Sequence, residues 1–194
     1  MAASAEFDQV EITSPVDLRQ WLEVHHTQRA SIWLVIYKKP DPRNVSYGDI
    51  VEEALCFGWV DSLPRALDDK RSMLRLSPRK AGSAWSALNK QRIEKLTAAG
   101  RMHTTGLAAV AAAKDTGMWD KLNEVEALQL PDDLARALMK NKKALGHFEL
   151  FPRSVRRAIL EWILNAKKPS TRAARIAETV MQAEKNIRAN QWRQ

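Results

Sequence analysis

The sequence predicts an α+β fold, with a small antiparallel or mixed sheet and helices in its N-terminal part followed by an all-helical C-terminal part. Three observations carry this. Ser31-Ile32-Trp33-Leu34-Val35-Ile36-Tyr37 is a β-branched and aromatic run of strand length. Two short runs, 65–67 and 71–76, flank the turn-forming Asp68-Asp69-Lys70 and read as a hairpin, which makes the pairing antiparallel. After Ser77-Pro78 strand signals stop and helices dominate, so helices mixed with antiparallel strands favour α+β over a parallel doubly wound sheet.

Residues 1–14 are expected to be a flexible N-terminus. Ser14-Pro15 with Asp17 gives an N-cap, a proline at the first helical position and an acid at the positive end, opening a helix to about Thr27. The 31–37 run is apolar on both faces, as in an interior strand, and Lys39-Pro40-Asp41-Pro42 ends it. Ser46 with Asp49 resembles a capping box. Tyr47, Ile50, Val51, Ala54 and Leu55 then share one helical face before Gly58 closes the helix. Trp59-Val60-Asp61 reads as a second strand. Helices are expected over 84–99, 104–115, 131–140, 142–149, 152–167 and 170–190, several of them opened by Pro131, Pro152 and Pro169. The domains are accordingly placed at 15–125 (α+β) and 126–194 (helical).

The single cysteine, Cys56, excludes an intrachain disulfide and a thiolate zinc cluster. No run approaches the roughly 18 apolar residues of a membrane span, and the first residues lack the pattern of an export signal, so a cytoplasmic location is expected. The formal charge of +8 permits phosphates, acidic proteins or an anionic surface as partners. Residues 151–194 hold 10 Lys and Arg against 3 Asp and Glu, so the C-terminal helices carry nearly all the excess.

Counting about 100° per residue from Trp85 places Leu88, Ile93 and Leu96 on one face of the 84–99 helix, together with Asn89 and Arg92. A polar amide and a guanidinium on an apolar face need buried partners or an opening to solvent. Asp61 is a carboxylate able to meet Arg92. A buried structural pair and a ligand site both satisfy this pattern. Upstream, Arg79 and Lys80 flank a loop running to Ser83, read as the N-cap of that helix, which together make an anion cradle as readily as an ordinary capped helix. The candidate ligand or anion site is therefore Asp61, Arg79, Lys80, Ser83, Trp85, Asn89 and Arg92. The glycine spacing of a phosphate-binding loop is absent.

On the 152–167 helix Arg153, Arg156, Arg157 and Lys167 gather on one side with Leu160 among them, a face suited to a protein partner, to phosphates or to another part of the same chain. Nucleic acid binding through this basic region is an alternative, weakened by the lack of a basic stripe on the last helix and by tryptophans in core-like contexts. His25, His26, His103 and His147 show no metal-ligand spacing. Cys56 falls opposite its helix's apolar stripe without an activating neighbour, and Glu52 and Glu53 project about 100° apart. No catalytic residue, metal or cofactor is assigned.

Several strings together resemble the bacterial YdeI/OmpD-associated, or bacteriocin-protection, family. They are Trp33-Leu34-Val35-Ile36-Tyr37-Lys38-Lys39, Glu52-Glu53-Ala54-Leu55-Cys56-Phe57-Gly58-Trp59-Val60-Asp61-Ser62, Ser77-Pro78-Arg79-Lys80 with Ser83-Ala84-Trp85-Ser86, Arg157-Ala158-Ile159-Leu160-Glu161-Trp162-Ile163, and Arg172-Ala173-Ala174-Arg175-Ile176. The likeness covers about 15–190. It implies a small bacterial stress-protection protein, resistance to bacteriocins or cationic antimicrobial peptides, and association with an outer-membrane porin. It carries over no reaction, so a non-enzymatic binding protein leads. An enzyme acting on an anionic small molecule, with Asp61 as acid or base beside Arg92, is the other alternative.

Overall fold

The computed structural model describes residues 7–191, which fall into two compact units dividing between Asp120 and Lys121. The fold is α+β, with a four-stranded mixed sheet and flanking helices in the first unit and helices alone in the second.

In the first unit, strands β1 (Gln9–Glu11), β2 (Ile32–Tyr37), β3 (Trp59–Ala66) and β4 (Arg71–Pro78) lie in the order β1-β2-β4-β3. β1 runs parallel to β2 and the other neighbours are antiparallel. Residues 9–11 were expected to belong to a flexible terminus. They instead form an edge strand, where Val10 packs against the core and Glu11 accepts from Tyr37 and Arg71. Three residues are too short for periodicity to declare them, and only the neighbouring strand makes them a strand. The two separate runs read at 59–61 and 65–67 are parts of one strand, β3, with a bulge between Asp61 and Pro64.

Helix α1 (Pro15–His25) is opened by the capping box of Ser14 and Asp17. Helix α2 (Tyr47–Cys56) is opened by Ser46, whose hydroxyl accepts from the Asp49 N–H. Both bury their apolar stripes on one face of the sheet, where Leu18, Leu22, Ile50 and Leu55 meet Ile32, Leu34, Leu74 and Leu76. The opposite face buries Trp33, Val35 and Met73 against Phe7 and Leu67.

The end of α2 is tied down group by group. Helix termini leave carbonyls without intrahelical partners. Here the carbonyl of Cys56 accepts from the His103 N–H at 3.0 Å, that of Phe57 from the Thr105 hydroxyl at 3.2 Å, and that of Gly58 from the Arg79 N–H at 2.9 Å. Gly58 turns the chain at φ +75°. Gly106 lets helix α4 (Thr104–Asp115) approach so closely that a Cβ there would stand 2.1 Å from the Cys56 oxygen.

Helix α3 (Ala87–Ala98) begins later than the sequence suggested. Ser86 is its N-cap, accepting from the Asn89 N–H, whereas Ser83 sits in a turn with its N–H on the Lys80 carbonyl. Both serines satisfy the capping rule. Burial of Trp85 to 1 % exposure against Trp119, ahead of the helix, is what accompanies the later start. With Trp85 off the helix the inward face is set by Ile93 and Leu96, and Leu88 is exposed rather than buried.

The second unit comprises α5 (Asn123–Glu126), α6 (Asp132–Met139), α7 (Lys142–Leu150), α8 (Arg153–Leu164) and α9 (Pro169–Glu184). Leu134, Leu138, Phe148, Ile159, Ile163 and Ala183 are among its buried residues. Arg193, counted in the C-terminal charge, lies outside the described residues. Among the described residues no helix is long and apolar enough to cross a membrane.

Candidate ligand site

The first unit brings five of the expected residues into one neighbourhood and adds a sixth. Asp61 lies on β3 just before the bulge, Arg79 follows β4, Trp85 precedes α3, and Asn89 and Arg92 are one turn apart on α3. The addition is Tyr47, in the first turn of α2, whose hydroxyl donates to Oδ2 of Asp61 at 2.6 Å. Tyr47 is 56 % exposed rather than buried with the apolar stripe of α2. A helical wheel puts it on that stripe, and no local signal marks a phenol that reaches a carboxylate on another element.

Arg79 is the most unusual group. Its guanidinium carbon lies over Trp85, 3.7 Å from the ring centroid, and the group donates through Nη2 to the Ala84 carbonyl at 2.5 Å. Its Nε and Nη1 are buried and find no hydrogen-bond partner. Burial pulls its pKa down to about 10, opposed by the negative charge of Asp61. Tyr47 is pushed up to about 12 by burial and by its bond to Asp61, while the charge of Arg92 draws it down. Asp61 thus acts on both Arg79 and Tyr47, and Arg92 acts on Tyr47.

The expected Asp61–Arg92 pair does not form. Asp61 is engaged by Tyr47, and Arg92 donates through Nη1 to Oδ1 of Asn89 at 3.0 Å. Lys80 is exposed. Ser83, spent on a turn rather than on capping a helix, supplies no helix N-terminus for an anion. The cradle imagined at Lys80 and Ser83 is therefore replaced by the guanidinium–tryptophan stack and the tyrosine–carboxylate pair. Beside that pair, between Tyr47 and the sheet, lies a cavity of about 340 Å³ walled by Ile36, Pro64, Ser72 and Leu74.

The Glu52–Ser62 string serves the scaffold at its start. Glu53 is buried and receives Arg19 at 3.0 Å and Arg101 at 2.5 Å, while Arg101 also reaches Glu52 at 3.3 Å. Cys56, whose place on the helical wheel left its burial open, is fully buried, and burial pushes its thiol pKa up, so it is no activated nucleophile. His103 stacks on Phe57, and His26 packs tilted against the same ring. Among the described residues no group of three or more His, Cys, Asp or Glu is placed to hold a metal.

In the second unit the basic face of α8 is turned to the chain's own use. Arg157 donates to Glu126 at 2.9 Å and to Glu161 at 3.0 Å, and Arg153 donates to the Glu126 carbonyl. Arg156 has a buried Nε without a partner, and Leu160, expected at the centre of a docking face, is 2 % exposed. Lys167 is exposed but lies beyond the end of the helix. A helical wheel shows charges gathering but not the short helix α5 that supplies Glu126. The partner face expected at Arg153, Arg156, Arg157 and Leu160 is thus largely an internal ion-pair seam. On α9, Arg172 makes a two-pronged pair with Asp133, and Arg175 donates to the Trp162 carbonyl.

Comparison with known proteins divides the chain in the same two parts. Residues 10–109 match the family described as Domain of unknown function (DUF8412), and residues 127–186 match the family described as Bacteriocin-protection, YdeI or OmpD-Associated. No curated protein and no solved structure matches the chain. The strings at 33–39, 52–62 and 77–86, expected to belong with the bacteriocin-protection likeness, fall instead within the first match. With more than half of its 194 residues in that match, the chain belongs to the DUF8412 family, and about a third of it, residues 127–186, matches the bacteriocin-protection, YdeI or OmpD-associated family.

Proposed function

We propose that this is a non-enzymatic bacterial stress-protection protein of the cytoplasm, whose first unit binds a small anion at Arg79, Arg92 and Asp61. The role in resistance to bacteriocins or cationic antimicrobial peptides is supported by the match of residues 127–186. The observation that carries the binding reading is the Arg79 guanidinium, with two buried nitrogens, Nε and Nη1, lacking acceptors. Each unpaired buried donor costs about 1–3 kcal/mol, which an arriving anion recovers if Arg79 shifts to meet it. Asp61 acts on Arg79 and Arg92 on Tyr47, so this neighbourhood holds two guanidinium groups against one carboxylate and favours negative charge.

Charge also bears on how protection works. Residues 121–194 hold 15 Lys and Arg against 8 Asp and Glu. A unit this basic repels cationic peptides, so protection proceeds through the protein's ligand or partner rather than by sequestering the toxin.

Inorganic phosphate titrated against the purified protein in a thermal melt tests the site. The melting temperature is expected to rise, and Arg92→Ala to lose most of the rise. A flat titration removes the anion reading. In a deletion strain challenged with a bacteriocin, Arg92→Ala is expected to fail to restore resistance. Full restoration would separate the site from protection.

A further inference from the structure

We propose that the site takes a small organic acid with a ring-sized apolar body and a hydroxyl at its far end, the body filling the cavity beside Asp61. This rests on the anion reading above and adds the shape and polarity of the ligand. The cavity owes its existence to the bulge in β3. Asp61 pairs with Leu76 and Pro64 with Leu74, so β3 spends one more residue than β4 over that interval and bends away. Proline at the far side of the bulge brings no N–H, and Ser62 is used by Arg75, which donates to its hydroxyl at 2.9 Å. The space left is about 340 Å³, at the small end of ligand pockets, which run from about 300 Å³ upward.

Its walls are mainly apolar, from Ile36, Pro64 and Leu74, with Ser72 as a small neighbour. Apolar walls reward an apolar body. The one charged group on the wall is Asp61. Its Oδ2 is taken by Tyr47, while its Oδ1 has no hydrogen-bond partner among the described residues. A carboxylate with one free oxygen accepts a donor, and the positive charges of Arg79 and Arg92 nearby favour a neutral hydroxyl over an ammonium group. Tyr47 joins the two halves, with its hydroxyl on Asp61, its ring on the cavity wall and the charge of Arg92 acting on its phenol, so in this proposal an acid held by Arg92 extends past the tyrosine into the cavity.

Isothermal titration of the full chain with acetate, phenylacetate and 4-hydroxyphenylacetate separates the three features. Phenylacetate is expected to bind at least about tenfold tighter than acetate, and 4-hydroxyphenylacetate about tenfold tighter again. Asp61→Leu, at a partly exposed position, is expected to equalise the last two. Ser72→Leu is expected to bring both down to acetate's affinity while leaving acetate unchanged, with a melting curve recorded to show the variant is folded. Phenylacetate binding no tighter than acetate, or a hydroxyl that adds nothing, overturns the inference while the anion site stands. Failure of phosphate and acetate alike to bind the wild-type protein removes both.

Discussion

Arg101 donates to Oε1 of the buried Glu53 at 2.5 Å, across 48 residues of sequence. The same carboxylate takes Arg19 on its other oxygen, so α2 is clamped to α1 and to the segment that leads into α4. Removing the carboxylate leaves two arginines without a counter-charge in a partly desolvated place. Glu53→Ala is expected to lose about 2–4 kcal/mol in urea unfolding. Arg101→Ala should lose less, about 1–2 kcal/mol, because the Arg101 side chain is 42 % exposed. Equal losses from both would contradict this assignment.

The approach of α4 to the end of α2 permits no side chain at residue 106. Gly106→Ala places a methyl 2.1 Å from the Cys56 carbonyl oxygen, and the backbone on both sides has to move. A loss of about 2–3 kcal/mol or more is expected in chemical unfolding. Gly82→Ala, where an added Cβ meets nothing within 4 Å, is the matched control and should change stability by less than about 0.5 kcal/mol.

Acid sensitivity has a named contributor in Asp17. Hydrogen bonds from the Thr13 backbone, Ser14 and the Thr13 hydroxyl hold its carboxyl at about 2, below the ordinary 3.8. The folded value is depressed, so its contribution is fully present above about pH 4 and fades as the pH falls toward about 2. The melting temperature, followed from pH 5 down to pH 2, should fall less steeply in Asp17→Asn. An unchanged slope would assign the acid response to other carboxylates, beginning with Asp41, which Arg43 also holds at about 2.

The seam along α8 makes a prediction opposite to that of a docking face. Leu160→Ala is expected to cost about 2–4 kcal/mol of stability, as buried leucines do. Arg157→Ala should destabilise by about 1–2 kcal/mol through loss of Glu126 and Glu161. Lys167→Ala should leave the melting curve unchanged. Were all three neutral in a melt, α8 would be an open surface after all.

Local sequence carried most of the architecture, since the Ser14–Asp17 box, the 31–37 strand and the proline-marked helix starts depend on neighbours a few residues away. The site was legible in part for the same reason. Arg92 and Asn89, one turn apart, share a face of the helical wheel although Asp61 rather than Asn89 is the partner the sequence suggests for Arg92, and the Arg79–Trp85 stack spans only a loop. What escaped came from distance. Tyr47 meets Asp61, Arg101 meets Glu53, and Glu126 meets Arg157 only after separate elements pack. The edge strand at Gln9–Glu11 and the late start of α3 were lost similarly, because a neighbouring strand and a buried tryptophan accompany them rather than any periodic pattern.

The three capped carbonyls at the end of α2 also set a minimum length for an autonomous first unit. Two of their donors, His103 and Thr105, come from the start of α4, and the Ala109 side chain lies 3.1 Å from where a Cβ on Gly58 would stand. A chain cut near residue 100 would keep every strand and the first three helices, yet lose the donors to the Cys56 and Phe57 carbonyls together with the part of the core that α4 supplies through Val110 and Ala113. The family match ends at residue 109, the last of these contacts. Cooperative unfolding should therefore run through α4 as one event, with the sheet and that helix melting together.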